Sequence, residues 1–588
     1  MADALTHSIP RSVWHGWGDP SEAKPLSDRA WRQLAREVGA KRQAAPSRPV
    51  AIEDVVLPES RLSTDDAAAL AAVVGREHVA TDRVARIEHA GGKSYPDIRR
   101  LRFGDGGQAP DAVVFPGTAD EVVDLLAVCS ARRLAVVPFG GGTSVVGGVS
   151  GDIEGGSPVD AALAGADPLD PTTSGSDARA GEASGRHTPD RLTAVVTVDL
   201  RRLNRLLALD TVSRIATFEP GIRGPEIEAA LHPHGLTLGH YPQSHQEATL
   251  GGYVATRSAG QASTGYGRID EVVVGARLAT PRGELVVGGR APASAAGPRL
   301  LDLVVGSEGA LGIITEASVR VAPLPSVKRY AACAFPSFEA AAEALREMAQ
   351  ELGHGVLPDV CRLSDAEETR VGLTLAGRGG AALSRWLRVR GLKRPCLALF
   401  VWEGREESVL RSRARRCEAV FARFGARSVP SKVTRAWEHG RFAGPYLRDE
   451  LMGHGVLADT LETATTWENL GSLHEAVGAA IGSALVAAGT PGLVQCHVSH
   501  VYAAGASLYY TFVAREAADP VAQWAAVKAA ASSAIVAGGG TITHHHAVGR
   551  DHREFLGAEI GGLGVEVLRA VKSVVDPAGV LNPGTLLP

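Results

Sequence analysis

Three glycine-rich clusters, each directly after an apolar run, constrain this chain more than any other feature. They are Pro138-Phe139-Gly140-Gly141-Gly142-Thr143-Ser144, Thr249-Leu250-Gly251-Gly252 and Gly306-Ser307-Glu308-Gly309-Ala310-Leu311-Gly312. Glycine permits tight turns and leaves backbone N–H groups bare, so such loops can hold a pyrophosphate. The first cluster lacks the Gly-Lys-Ser/Thr of a P-loop and the G-x-G-x-x-G spacing, and alone it fits a tight turn equally well. Three clusters in order favour a dinucleotide site.

The bulk properties indicate a multidomain globular protein. The 588 residues allow two or three domains of ~100–200 residues each. A net charge of −4 gives no reason to expect a nucleic-acid partner. Six scattered cysteines without a C-x-x-C fit a reducing compartment rather than a disulfide framework. No secretory pattern and no run of ~18 apolar residues of transmembrane character is present, so we expect a cytoplasmic protein. Peripheral membrane contact and a homodimer stay open.

Local patterns predict where elements begin. Thr118 to Glu121 forms a capping box before an apolar helical repeat, and the strand Leu134–Val137 then leads into the first glycine cluster. Residues 150–190 are dominated by Ser, Gly, Asp, Pro and Ala, without apolar periodicity. Such a segment buries too little surface to offset its ordering entropy, so we expect a disordered surface insertion.

The order of these blocks resembles the FAD-binding domain of flavoproteins of the vanillyl-alcohol oxidase type, also called the PCMH-type family. Pro116 to Val123 is similar to the segment before the first FAD loop of that family, and the three clusters match its successive cofactor contacts. The resemblance implies FAD as the cofactor. The matching positions are Pro138, Phe139, Gly140, Gly141, Gly142, Thr143, Ser144, Gln243, Ser244, Thr249, Gly251, Gly252, Thr256, Arg257, Ser258, Glu308, Gly309, Leu311, Gly312 and Ile314.

The same resemblance implies an α+β fold. It comprises a PCMH-type FAD-binding domain of two subdomains and an α+β cap domain, with an antiparallel sheet, that carries the substrate site. The expected boundaries are an N-terminal arm over 1–75, the FAD-binding domain over 76–325, the cap over 326–545 and a segment over 546–588 that returns to the FAD domain.

Two C-terminal segments narrow the resemblance to the alkyldihydroxyacetonephosphate synthase subfamily. They are His497-Val498-Ser499-His500-Val501-Tyr502, continuing to Tyr509-Tyr510, and Thr543-His544-His545-His546-Ala547-Val548-Gly549. By this resemblance Tyr509 matches a proton-transferring tyrosine, and His544, His545 and His546 match an essential histidine triplet. Asp359–Leu363 and Tyr446–Asp449 match stretches in which Arg362 is important for activity and Arg448 lies at a substrate-binding position.

The reaction implied by the resemblance belongs to ether-lipid synthesis. The acyl group of an acyl-dihydroxyacetone phosphate is exchanged for a long-chain alcohol, with FAD trapping the substrate carbon at flavin N5 and no net redox change. A small, lipid-like substrate is therefore expected. Tyr509 would need a lowered pKa to remove a proton beside the ketone, and neighbouring imidazoles or arginines could supply that shift. Arginine suits the phosphate because its N–H donors are paired and charge-assisted.

Other interpretations remain at this stage. Tyr509 alone fits a core tyrosine, and Arg362 and Arg448 alone fit surface ion pairs. An FAD-dependent 2-hydroxy-acid dehydrogenase would carry G-H-x-G-D-G-N-x-H and E-H-G motifs that bind a metal, but Ser507 and His545 stand at two of those ligand positions. A non-catalytic flavin-binding protein is a third possibility. We expect no metal, because three adjacent histidines on a strand cannot converge; His544 and His546 would share one face, opposite to His545.

Overall fold

The structure is a computed structural model that describes residues 12–43, 45–153, 156–164 and 191–588. The N-terminal part contributes one helix to each half of the molecule. Helix α1 begins after Ser27, whose side chain caps it, and ends at Gly39 in the left-handed region. It packs on the cap, whereas α2 packs on the FAD-binding domain. The bounds are α1 Asp28–Val38 and α2 Thr64–Val74.

A four-stranded sheet carries the first glycine cluster. Its order is β1-β2-β4-β3, with β4 parallel to both neighbours and β1 antiparallel to β2. Thr118 caps α5 as the sequence predicts, and the helix ends at Arg133 in the left-handed region. The bounds are β1 Val79–Ala80, α3 Arg83–Glu88, α4 Tyr95–Arg102, β2 Ala112–Val114, α5 Ala119–Arg132, β3 Leu134–Phe139, α6 Pro158–Ala164 and β4 Ala194–Asp199.

A five-stranded antiparallel sheet carries the other two clusters. Its order is β5-β6-β10-β8-β9, and a small β7–β11 pair lies beside it. The bounds are β5 Leu206–Asp210, β6 Ile215–Phe218, α7 Gly224–Leu231, β7 Leu236–Thr237, α8 Leu250–Ala255, α9 Ser263–Tyr266, α10 Ile269–Val272, β8 Val273–Thr280, β9 Gly283–Gly288, α11 Leu301–Val304, β10 Ile313–Arg320 and β11 Ala322–Pro323.

The cap is built on a seven-stranded antiparallel sheet of order β15-β12-β14-β13-β17-β18-β16. Helices pack on one face of this sheet and form a continuous apolar core with it. The opposite face of its central strands lines a cavity shared with the FAD-binding sheets. The bounds are β12 Val327–Phe335, α12 Phe338–Glu351, β13 Val360–Ser364, α13 Ala366–Leu375, α14 Gly377–Val389, β14 Cys396–Gly404, α15 Glu407–Arg423, β15 Arg427–Val429, α16 Lys432–Gly440, α17 Gly444–Gly453, β16 Val456–Thr466, α18 Leu470–Ala487, β17 Leu493–Val498, β18 Gly505–Arg515 and α19 Pro520–Ala537.

One helix of the described chain, α18, is long and apolar enough to cross a membrane by length and composition. Its buried residues recur at helical spacing as Leu470, Leu473, Val477, Ile481 and Leu485. They all belong to the core of the cap. This stripe accounts for the apolar character of the helix as core packing.

The C-terminal segment closes the open edge of the first sheet. After α20, Leu556–Val575, the chain runs back along β3, and the Asn582 N–H donates to the Val136 carbonyl at 2.8 Å. Val580 and Leu581 are fully buried in the core beneath that sheet. The last residues are therefore part of the strand arrangement that presents the first glycine cluster.

Residues 156–164, within the predicted disordered insertion, form a packed element. Val159 of α6 is 1% exposed in the cap core. The Ser157 hydroxyl donates to Asp551 at 2.6 Å, and Arg553 donates to Asp160 at 2.6 Å. The prediction of a disordered segment is wrong for this stretch, because one apolar turn docks on α19 despite its polar context. Residues 154–155 and 165–190 of the predicted insertion lie outside the described residues.

The docking of α6 predicts a stability effect of a single charge. Val159→Asp should lower the free energy of unfolding by about 3 kcal/mol or more, because an unpaired carboxylate would be buried. Ala161→Asp is the matched control, since Ala161 is exposed on the same helix. Thermal or denaturant unfolding of both variants measures the difference. Equal stability of the two variants would contradict the packing of α6.

Candidate active site

A cavity of about 900 Å³ lies between the FAD-binding sheets and the cap sheet. Its volume is at the upper end of the range for small-molecule sites. The FAD-domain side of its wall contains most of the cofactor positions predicted from the sequence: Pro138, Phe139, Gly140, Gly141, Gly142, Thr143, Ser144, Gln243, Ser244, Thr249, Gly251, Gly252, Thr256, Ser258, Glu308, Gly309, Gly312 and Ile314.

Two of the predicted cofactor positions lie elsewhere. Arg257 does not line the cavity, and its guanidinium pairs with Asp270 at 2.9 Å on the surface. Leu311 is 3% exposed and belongs to the core of the five-stranded sheet. Each is adjacent in sequence to a residue that lines the cavity, Thr256 or Gly312, so a contiguous sequence match assigns both to the site although neither lines it.

The first glycine loop leaves a row of backbone donors available. Among the described residues, the hydrogen bonds use none of the N–H groups of Gly140 to Ser144. A Cβ at Gly141 would lie 2.1 Å from the carbonyl oxygen of Glu247, and Gly142 has a φ of +65°. Glycine is therefore required here by the neighbouring loop and by backbone conformation, in addition to any bound group.

Three residues that line the cavity contain buried polar atoms without partners. In the described part of the chain these include Gln243 Nε2, Gln261 Oε1 and Ser307 Oγ. Buried polar groups are costly unless they are hydrogen-bonded. A dinucleotide would satisfy them, with the free N–H row of the first loop on its pyrophosphate, so the residues present fit FAD.

Glu308 ties the third glycine loop to the C-terminal segment. Its carboxylate accepts the N–H groups of Val548 at 2.9 Å and Gly549 at 2.7 Å. Burial raises its pKa to about 7, and the two backbone donors oppose that shift. The Asn582 amide also donates to the Glu308 carbonyl at 2.7 Å. The cofactor loop is thereby fixed to the segment that follows the histidine triplet.

The histidine triplet wraps around a buried glutamate. The Glu462 carboxylate accepts the N–H groups of His544, His545 and His546 at 2.7–3.0 Å and the Thr543 hydroxyl at 2.8 Å. Burial alone would raise the pKa of Glu462, but the three imidazoles and a hydrogen bond from His545 hold it well below its usual value.

This loop corrects the predicted arrangement of the triplet. Residues 544–546 are irregular rather than a strand. All three rings lie near Glu462, and it is His545 and His546 that line the cavity, whereas His544 accepts from or donates to Tyr502 at 2.6 Å. Potential ligand atoms of Glu462, His544 and His545 lie within 4.8 Å of one another, so the absence of a metal remains a prediction.

Tyr509 faces the cavity from β18 with a protonated phenol. Its cross-strand partners are His497 on β17 and Glu462 on β16. Its ring stacks on His497 with centroids 4.9 Å apart, and its hydroxyl donates to Thr460 at 3.0 Å. Burial raises the pKa of Tyr509 to about 12. The lowered pKa expected from the sequence is therefore wrong for this state of the site.

Arg362 is held in an ionic cluster at the same wall. Its guanidinium donates to Glu368 at 2.8 Å, and the same carboxylate oxygen lies 3.0 Å from His497 Nδ1. Burial would raise the pKa of Glu368, but Arg362 and His497 hold it at about 2. Burial and the Arg362 charge lower the pKa of His497. Arg362 thus positions His497, the stacking partner of Tyr509.

The predicted substrate-binding arginine is occupied by protein partners, and a second arginine is not. Arg448 lines the cavity, but it donates to Asp449 and to the Lys93 carbonyl at 2.6–3.1 Å. Arg441 also lines the cavity, over the rings of Tyr241 and Phe442. Of the cavity arginines in the described chain, only Arg441 makes no ion pair. The sequence reasoning missed it; the aromatic neighbour Phe442 was the available signal.

The part of the cavity wall formed by α1, α13, α17 and the last three strands of the cap sheet carries many apolar residues and is named the apolar branch. Gln33, Glu37 and Arg370 line it as well, and Trp17 of the N-terminal segment also lines the cavity. The apolar lining residues are Leu26, Ala30, Leu34, Val371, Leu447, Leu451, Ala458, Leu493 and Val513. A wall of this composition suits a hydrocarbon chain rather than a polar substrate.

Comparisons with known proteins agree with this geometry. The description "FAD binding domain" matches residues 110–186 and 180–289, and "FAD linked oxidases, C-terminal domain" matches residues 324–586. Alkyldihydroxyacetonephosphate synthase of Trypanosoma brucei brucei is 29% identical over 99% of this chain and 94% of its own length. The protein of that name from Dictyostelium discoideum is 30% identical over 86% of this chain and 78% of its own.

A solved structure of alkyldihydroxyacetonephosphate synthase has a TM-score of 0.75 and 26% identity, covering 97% of this chain and 98% of that one. The two sheets, the antiparallel cap and the cavity between them define an FAD-linked enzyme. Within that class, the chain belongs to the alkyldihydroxyacetonephosphate synthase family. The family, the α+β fold and FAD as cofactor, as predicted from the sequence, are confirmed.

The contact between Gly141 and Glu247 predicts a loss of cofactor. Gly141→Ala should weaken FAD binding by on the order of tenfold or more, because the new Cβ forces the first loop away from its position. Gly379→Ala is the matched control, since a Cβ there meets nothing within 4 Å. The flavin absorbance per protein after dialysis measures occupancy. Full occupancy in Gly141→Ala would show that this loop does not hold the cofactor.

Proposed function

We propose that this protein exchanges the acyl group of an acyl-dihydroxyacetone phosphate for a long-chain alcohol; its relatives carry the name alkyldihydroxyacetonephosphate synthase. The observation that carries the proposal is a single cavity in which FAD-binding loops, a Tyr–His cluster, an arginine free of ion pairs and an apolar branch meet. A small polar hydroxy acid has no hydrocarbon chain that would fill that branch. Bound FAD supplies an electrophile to this reaction without net redox change.

The protonation states of His546 and Tyr509 indicate a different role for each residue. Burial lowers the pKa of His546 to about 3, so its imidazole is neutral and able to accept a proton. Its Nδ1 is buried and has no hydrogen-bond partner in the described chain. Tyr509, with a pKa raised to about 12, keeps its proton and is a hydrogen-bond donor at neutral pH. We assign His546 to accept the proton from the carbon beside the ketone and Tyr509 to donate a hydrogen bond to the carboxylate that leaves as an anion.

The charges along the cavity support a phosphate-bearing substrate. Arg441 offers a guanidinium that makes no ion pair, although Glu438 lies within range of its charge, in a cavity where Arg362 and Arg448 already have acidic partners. Arginine binds phosphate through paired donors, which a lysine cannot reproduce. We assign Arg441 to bind the phosphate, beside Arg448 in the cavity wall. The acyl or alkyl chain would lie in the apolar branch.

The rival dehydrogenase reaction finds less support. Ser507 replaces one metal-binding histidine, and its hydroxyl accepts the N–H of His500 at 3.1 Å. His500 Nε2 in turn lies 2.8 Å from the Gly260 carbonyl. Both groups are therefore engaged within the protein.

A cytoplasmic location, peripheral membrane contact and a homodimer remain proposals from the sequence.

The assignment of Tyr509 predicts a selective loss of turnover. Tyr509→Phe should fold and retain FAD but lose ~10²–10³-fold in alkyl transfer, because the hydroxyl that stabilises the leaving carboxylate is removed. Tyr510→Phe is the matched control, since the Tyr510 hydroxyl lies on the other sheet face and contacts the Leu473 and His474 carbonyls. Product formation from acyl-dihydroxyacetone phosphate and a labelled fatty alcohol, with flavin content, measures the effect. Wild-type turnover of Tyr509→Phe would reject its role.

The two shifted pKa values predict a flat pH dependence. Tyr509 stays protonated until the pH approaches about 12, and His546 stays neutral down to about 3. Above the pKa of about 7 of Glu308, the turnover number at saturating substrate should therefore change little, from about pH 8 to pH 10. Were the Tyr509 phenolate the base, turnover would rise about tenfold for each pH unit over this range. A pH–rate profile of the FAD-loaded enzyme distinguishes the two assignments.

A further inference from the structure

The proposed reaction leaves one proton in the cavity at each turnover. An ester and an alcohol enter, and an ether and a carboxylate anion leave, so the hydroxyl proton of the alcohol belongs to neither product. The reacting carbon carries two hydrogens before and after the exchange, so the proton that His546 removes is replaced and does not alter this balance. A route from the cavity to solvent is therefore needed for the proton of the alcohol.

A chain of hydrogen bonds leads from the cavity wall to a phenol at the surface. His545 lines the cavity, and its Nδ1 lies 3.0 Å from Nδ1 of His544. His544 is buried, and its Nε2 lies 2.6 Å from the Tyr502 hydroxyl. Tyr502 does not line the cavity and is partly exposed. Two imidazoles and one phenol thus connect the cavity to solvent.

The members of this chain can accept a proton on one side and release one on the other. An imidazole accepts at one ring nitrogen and donates from the other, and a phenol does both at its oxygen. Burial lowers the pKa of His544 well below its usual value, so its imidazole is neutral. Burial raises the pKa of Tyr502 to about 12, against the opposing charge of Arg268, so the phenol is protonated.

Contacts outside the chain hold its members in place. The Glu462 carboxylate accepts the backbone N–H groups of both histidines, at 2.7 and 3.0 Å. The Arg268 guanidinium interacts with the Tyr502 phenol and pairs with Asp270 at 3.1 Å. Because arginine has donors only, it leaves the Tyr502 proton free to turn towards His544 or towards solvent.

We propose that His545, His544 and Tyr502 carry the proton of the alcohol out of the cavity, with Arg268 as the positioning residue for Tyr502. This role rests on the proposed function. As the alcohol oxygen bonds to the substrate carbon, its proton passes to the ring nitrogen of His545 that His544 does not contact. The Nδ1 proton of His545 passes to His544, the Nε2 proton of His544 passes to the Tyr502 oxygen, and the phenol releases its proton to solvent. Each group gains one proton and loses one.

The test compares two Tyr→Phe variants of the full-length, FAD-loaded protein. Tyr502→Phe should lower the turnover number by on the order of tenfold or more and raise the solvent deuterium isotope effect, because proton release becomes slow. The KM values and the flavin content should stay near those of the wild type, since Tyr502 lies outside the cavity. Tyr266→Phe is the matched control: its hydroxyl donates to Glu403 at 2.6 Å, and it does not line the cavity either.

A second variant separates proton release from a structural role. In Tyr502→Ala, small proton carriers can approach His544, so turnover should rise with the concentration of imidazole buffer. Wild-type turnover of Tyr502→Phe, an equal loss in Tyr266→Phe, or no response of Tyr502→Ala to imidazole would each overturn the proposal. A stoichiometric metal ion bound between His544 and His545 would also overturn it, because the ion would replace the proton that joins the two rings.

Nitrogen NMR of histidine-labelled, FAD-loaded protein separates this proposal from the proposed function. We expect a signal from one proton shared between the His544 and His545 rings, and His544→Gln should abolish it. Alkyl transfer by a wild type that lacks this signal would reject the proton route alone. The signal without alkyl transfer would reject the proposed reaction and retain the hydrogen-bonded chain.

Discussion

The site depends on two buried carboxylates that hold one irregular stretch of backbone. Residues 543–549 run through the interior without forming a strand or helix, and a buried backbone N–H without a partner is costly. Glu462 of the cap accepts three of these donors, and Glu308 of the third glycine loop accepts two more. One end of the stretch is therefore fixed to the cap and the other to the cofactor loop. The position of the imidazoles relative to FAD follows from this pair of contacts.

The two carboxylates respond differently to their surroundings. Glu462 accepts three backbone N–H groups and the Thr543 hydroxyl and lies beside three histidines, so its charge is favoured despite burial. Glu308 has only backbone donors, and its pKa rises to about 7. A buried charge persists where opposite charge or hydrogen bonds offset desolvation, and shifts where they do not. The ionised state of Glu462, on the cap side, is thus favoured more strongly than that of Glu308.

Local patterns in the sequence predicted the glycine loops and the capping of α5, because each depends on neighbouring residues, whereas the antiparallel cap was implied by the family resemblance. The arrangement of the side chains within the site was harder to predict. The three histidines were expected to alternate as on a strand, but the partner that curls them into a loop, Glu462, lies 82 residues earlier than His544. The pKa of Tyr509 likewise depends on burial, which no short motif encodes. The docking of α6 depends on α19, more than 350 residues away.

The cavity-facing side of the cap sheet could have been identified from the sequence of its strands. Gln495, His497 and Ser499 alternate with buried residues, as do Tyr509, Thr511 and Val513 on the next strand. Alternation of this kind indicates a sheet with one face on a core and the other on a cavity. Arg441 had no such periodicity, because it lies between α16 and α17. Its importance follows from what it lacks, a carboxylate partner, and that is a property of the folded site.

The pairing of residue 581 with β3 has a consequence for folding. The strand that presents the first glycine loop keeps an open edge until Leu581 pairs beside Val136, which lies more than 440 residues earlier. Contacts of such long sequence separation form slowly, because the entropy of closing the loop is lost before the contact stabilises the fold. A chain that has not yet made this contact exposes an edge strand that is open to aggregation.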